Sequence, residues 1–77
     1  FDSTRGKMAQ MIVRGSMLTS RQIADMAKTF SSDSKRYNFL VYAYDSCVDP
    51  QNYVVAANTL QFSTNRSDLM KKISRRP

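Results

Sequence analysis

The sequence predicts an all-α domain of five short helices, arranged as about two and a half tandem helical hairpins around one core. Three observations predict it. Large apolar residues recur at i, i+3, i+4 and i+7 in several segments, the period of a helix face. Only two Gly and two Pro interrupt 77 residues. An opening of Phe, polar cap and Arg occurs three times at a spacing of about thirty residues, the range of tandem helical units.

The first helix is expected over residues 2–14, capped by Asp2 or Ser3. Met8, Met11, Ile12 and Gly15 form its inward stripe, with Ala9 and Val13 beside it. Gly15 suits the left-handed position that ends a helix. In the connector Ser16-Met17-Leu18, Met17 or Leu18 plugs the core. Thr19 caps a second helix over 20–29, where Ile23, Met26, Ala27 and Phe30 share a face. Arg21–Asp25 and Asp25–Lys28 are ordinary surface pairs on its other side.

The third helix, 32–45, is expected to be central. Ser31 or Ser32 caps it and Asp33 favours its positive dipole end. Tyr37, Leu40, Val41 and Tyr44 make the stripe, Phe39 and Ala43 widen it, and Cys47 and Val48 extend it. A helix with one wet side does not need so broad an apolar surface. A continuous buried strand is the rival reading; the polar opening, Lys35-Arg36 and the length oppose it. Asp49-Pro50 marks the start of a fourth helix over 50–60, with Asp as cap and Pro at the first position. Tyr53, Val54, Ala57 and Leu60 face inward there. Ser63 caps a fifth helix over 64–74, with Leu69, Met70 and Ile73 inward.

The repeat ties these elements together. Phe1-Asp-Ser-Thr-Arg5, Phe30-Ser-Ser-Asp-Ser-Lys-Arg36 and Phe62-Ser-Thr-Asn-Arg66 open successive units, and Leu18-Thr19 recurs as Val48-Asp49. Each Phe is expected to act as a hydrophobic staple. Arg5, Arg36 and Arg66 then occupy equivalent positions. The structural reading pairs each with an Asp or a helix-end carbonyl of the neighbouring hairpin; the functional one makes them a basic ridge for an acidic partner. One hairpin cannot bury its own apolar face, so the units share one core.

Leu18-Thr-Ser-Arg-Gln-Ile23, Phe30-Ser-Ser-Asp-Ser-Lys-Arg36, Phe39-Leu-Val-Tyr-Ala-Tyr44, Val48-Asp-Pro-Gln-Asn-Tyr53 and Phe62-Ser, in that order, resemble the domain-of-unknown-function family numbered forty-four seventy-six. The resemblance covers essentially the whole chain. It implies a short helical module of bacterial, often exported proteins, also found in an animal proline- and serine-rich protein. It implies no activity, cofactor or site residue. An extracytoplasmic location is an expectation from the resemblance, and the chain, with Phe at residue 1, reads as a piece of a longer protein.

The residue types exclude much chemistry. There is no His and no Glu, and Cys47 is the sole cysteine. Zinc clusters, Ser-His-Asp triads and Cys-His pairs are ruled out, and Gly6 and Gly15 form no phosphate loop. Cys47 reads as a small buried apolar residue. Asp2, Asp33, Asp49 and Asp68 lie near helix starts and read as caps or dipole partners. No catalytic, cofactor or metal residue is assigned. The net charge is +6, and four of the twelve positive charges are Lys71, Lys72, Arg75 and Arg76. Without these, eight positive charges face six negative, a net of +2. The 71–77 end is thus basic, and expected to be partly frayed. Tyr37, Tyr44 and Tyr53 fall on buried stripes, whereas Tyr42 falls off the stripe. Candidate surface contacts are therefore Tyr42, Arg66, Lys71, Lys72, Arg75 and Arg76. The leading expectation for function is a non-catalytic protein-interaction or structural module with an unknown protein partner. The alternative is nucleic-acid or anionic-surface binding through the basic end, which would weaken with salt.

Overall fold

The structure, a computed structural model, describes residues 4–76. It is all-α: α1 (Thr4–Val13), α2 (Ser20–Ala27), α3 (Asp33–Ala43), α4 (Val54–Ala57) and α5 (Ser63–Ser74), with 3-10 turns at Tyr44–Ser46 and Pro50–Asn52. α3 packs between α1 and α5, and α2 packs on both α3 and α4. The first helices of the units (α1, α3, α5) thus form one layer and the second helices (α2, α4) the other. The central position expected for α3 explains its burial. Phe39, Leu40 and Ala43 are fully buried, and Tyr37, Val41, Tyr42 and Tyr44 pack half-buried around them.

Local chemistry sets the helix ends. Gly15 adopts φ +77° after α1, as a left-handed terminating residue should. Thr19 accepts the Gln22 N–H (3.1 Å) while its own N–H donates to the Gln22 side chain (2.9 Å), a complete capping box. Ser32, rather than Ser31, caps α3 by accepting the Lys35 N–H at 3.1 Å. Leu18, not Met17, closes on the core; Met17 is exposed. The matching midpoints lie side by side. Leu18 N–H donates to Ser46 O (2.9 Å) and Val48 N–H to Leu18 O (2.8 Å), so Cys47 is buried in a short bridge and not on a helix face.

Several expectations are corrected. α1 is rotated: Gly6, Ala9 and Val13 are buried, whereas Met8, Met11 and Ile12 are 58, 73 and 54% exposed. Both sets are helix-spaced, and the set with Gly6 and Ala9 lets the α1 backbone come closer to α3. The caps proposed at Asp2 and Ser3, and Phe1, lie outside the described residues.

The single fourth helix is also corrected. It divides into a 3-10 turn and the four-residue α4, because the Asp49 side chain accepts no backbone N–H of its own turn. Its carboxylate turns instead to the start of α2. The buried stripe is Tyr53, Ala56, Ala57 and Leu60, and Val54 is exposed. Tyr53 is buried because its hydroxyl has a partner: it donates to Leu40 O at 2.6 Å, and its ring meets Tyr44 edge-on at 4.9 Å.

Ser63 does not cap α5. The preceding residue Phe62 holds the cap position without a side-chain bond and is exposed, so it forms no staple. The buried slot belongs to Leu60, the true equivalent of Phe30. Both residues directly follow a Thr whose hydroxyl bonds back into the helix, Thr29 to Met26 O and Thr59 to Ala56 O, each at 2.7 Å. Phe30 lies 5.4 Å from Phe39, ring to ring.

α5 buries Leu69 and Ile73, while Met70 faces outward at 40% exposure. Leu69→Ala should therefore cost roughly 2–5 kcal/mol, and Met70→Ala should stay within about 0.5 kcal/mol. Urea denaturation of the two variants distinguishes this register from one in which both residues are inward.

Candidate functional site

The three repeated arginines bind the carbonyls at the ends of the units. Arg36 Nε donates to Phe30 O (2.7 Å), at the end of the first unit, and its Nη1 donates to Thr59 O (2.8 Å), at the end of the second. Arg66 Nη1 repeats the first bond on Leu60 O (2.8 Å) and reaches Gln61 O (3.1 Å). Arg5 repeats the second bond on Thr29 O. Carbonyls at the end of a helix lack partners within it, and a guanidinium fork can serve two of them at once. The arginines thus take the structural role, pairing with helix-end carbonyls, and not that of a free basic ridge.

Two aspartates complete the joints from the opposite direction. Asp49 accepts the Ser20 N–H (2.7 Å) and Ser20 hydroxyl (2.9 Å), so it caps α2 from the other hairpin. The Ser20 N–H, then its hydroxyl and the Asn52 amide, stabilise the carboxylate and hold it at about 2, below the ordinary 3.8. Asp33 accepts the N–H groups of Gln61 (2.6 Å) and Phe62 (3.3 Å) and the Asn65 amide (2.7 Å), holding the chain just before α5. Burial pulls the Asp33 carboxyl upward, but these bonds and nearby Arg36 outweigh it and lower it overall. Burial raises the Cys47 thiol, away from the reactive thiolate.

The sequence-derived contact candidates do not gather at one place. Arg66 is half-buried in its carbonyl bonds. Tyr42 and Arg76 border one depression, but Tyr42 is half-buried against the core, as Tyr37 and Tyr44 are. Arg76 pairs with Asp45 (2.6 Å) and approaches Val41 O (3.4 Å), which fixes the end of the described chain against α3. Lys72 sits 6.0 Å from the centre of the Tyr37 ring. Lys71, Lys72 and Arg75 are the exposed cations of this end.

The concave apolar feature is elsewhere. Arg5, Met8, Ala9 and Ile12 of α1, with Met26 of α2 and Thr29 just after it, line an open groove of about 740 Å³. Met8, Met11 and Ile12 make its outer lip and the adjoining surface contiguously apolar. Sequence reasoning missed this site because it placed these three residues in the core. A signal was present: Gly6, Ala9 and Val13 form a second stripe of smaller residues on the same helix. Among the described residues, no cluster of three or more His, Cys, Asp or Glu side chains could hold a metal ion. None of their helices is long and apolar enough to cross a membrane.

Fold and site together define a tandem-hairpin α module joined by arginine–carbonyl bonds. The chain belongs to the family described as Domain of unknown function (DUF4476), whose profile matches residues 1–73. No curated protein and no solved structure matches the chain.

Two predictions follow from the joints. Arg36→Gln should cost roughly 1.5–3 kcal/mol, the range for a hydrogen bond to a charged group. Arg21→Gln, at an exposed pair, should change stability by less than about 0.5 kcal/mol. Denaturant titration of both reads the difference. The depressed carboxyls of Asp33 and Asp49 favour the folded state above their ordinary range, and that contribution disappears as pH falls through their folded values. The urea midpoint should be flat above about pH 5 and fall steadily toward pH 2. Asp49→Asn should flatten that fall.

Proposed function

We propose that this chain is a non-catalytic protein-interaction module, one part of a larger protein. The observation that carries the reading is the apolar surface of Met8, Met11 and Ile12 around the α1–α2 groove. Contiguous exposed apolar surface of this kind marks interaction sites, and methionine adapts well to varied partners. The polar side chains that recur in the repeat support it in a second way: Arg36, Arg66, Asp33 and Asp49 are engaged in holding the units together. The nucleic-acid or anionic-surface alternative has less support. Arg66 and Arg76 are committed to intramolecular bonds, and Lys71, Lys72 and Arg75 remain.

The test places a photo-crosslinking residue at position 11, outside the groove but on the same surface, in cells that make the protein. Discrete adducts with a polypeptide are expected, and Met8→Asp should reduce them. Adducts only with nucleic acid or lipid, or a turnover activity abolished by a single Asp→Asn change, would overturn the reading.

A further inference from the structure

The groove has a filled counterpart in the same molecule. Its α1 wall maps onto α3 thirty-one residues on: Arg5 onto Arg36, Met8 onto Phe39, Ala9 onto Leu40 and Ile12 onto Ala43. Its α2 side maps onto the α4 segment thirty residues on: Met26 onto Ala56 and Thr29 onto Thr59. Phe39, Leu40, Ala43 and Ala56 are completely buried. α2 packs on both α3 and α4. α2 presents Ile23, Ala24 and Ala27, all buried, and ends on Phe30 against Phe39. Arg36 then takes the Phe30 carbonyl.

We propose that the outer groove binds an α2-like helix of a partner polypeptide. The occupant has an apolar or small residue at i, i+1 and i+4 and a large apolar residue at i+7, which closes its C-terminal end. Met8 and Ile12 receive its apolar face, and Met8 takes its closing large residue as Phe39 takes Phe30 at the end of α2. Arg5 receives its last carbonyl, as Arg36 receives that of Phe30. The inner joint supplies both the shape and the chemistry of the ligand. This inference rests on the reading of the chain as an interaction module and names the class of its partner.

The probe is a synthetic peptide of residues 18–31, end-capped and fluorescently labelled, titrated onto the 77-residue chain. An isolated helix of this length is marginal in water, so ordering it weakens binding. Saturable binding with a Kd on the order of 100 μM is expected. Phe30→Ala in the peptide, or Ile12→Arg in the chain, should each weaken it about tenfold or more. Ile12 is exposed, so I12R should keep the circular dichroism spectrum and thermal midpoint of the parent. No saturable binding, binding unchanged by I12R, or self-association of the chain that the peptide does not displace would each overturn the proposal. If the peptide fails while crosslinks from position 11 to a polypeptide persist, the helical occupant is wrong and the interaction reading stands. If both fail, the interaction reading falls as well.

Discussion

Arg36 joins the ends of two helices that are 30 residues apart in the chain. Its guanidinium holds Phe30 O with one nitrogen and Thr59 O with another. Other features of the fold depend on that placement. Carbonyls at a helix end must find donors or water, and a buried orphan is costly. By supplying a donor to each end, Arg36 allows both to sit beside the core, where Phe30 and Leu60 fill their slots. Arg66 and Arg5 extend the same pattern by one bond in each direction. A lysine could not substitute, because its single ammonium lacks the planar fork that reaches two carbonyls in fixed directions.

The aspartates make the arrangement reciprocal. Asp49 reaches across to cap α2 while keeping the Asn52 side-chain amide, and Asp33, at the start of α3, binds the N–H groups before α5. The first donor of α2 and the donors just before α5 are thus satisfied across unit boundaries, as helix C-terminal carbonyls are. This accounts for how a 77-residue chain with a single cysteine holds five short helices, one of only four residues. Isolated helices of that length are not stable in water. The start and end of α2, the end of the α4 segment and the approach to α5 are each held by a side chain of another unit. The repeat is therefore a set of mutual caps as well as a packing pattern.

The parts of this design that depend on residue type and spacing were legible in the sequence. The five helices, the thirty-residue recurrence, the Thr19 and Gly15 helix ends and the pairing of repeated arginines with helix-end carbonyls all follow from local chemistry. The parts that depend on which neighbour competes were not. Met8-Met11-Ile12 and Gly6-Ala9-Val13 are both helix-spaced, and hydrophobicity favours the wrong one. Only the closeness of α3 selects the smaller set. Asp49-Pro50 has the signature of a long helix start, yet the carboxylate finds a better partner in Ser20. Phe62 copies the residue type of Phe30, whereas Leu60 copies its position relative to Arg and Thr. The groove was hidden by the same rotation of α1, since its lip was counted as core.

Arg36 acts on both units at once. Amide hydrogen exchange under native conditions tests this directly, by comparing the parent with Arg36→Gln. The N–H groups of Thr29 and Phe30 close the end of α2, and those of Thr59 and Leu60 close the end of α4. If Arg36 joins the units, protection should fall at all four together and by similar factors. Loss of protection at only one of the two helix ends, with the other unchanged, would contradict it.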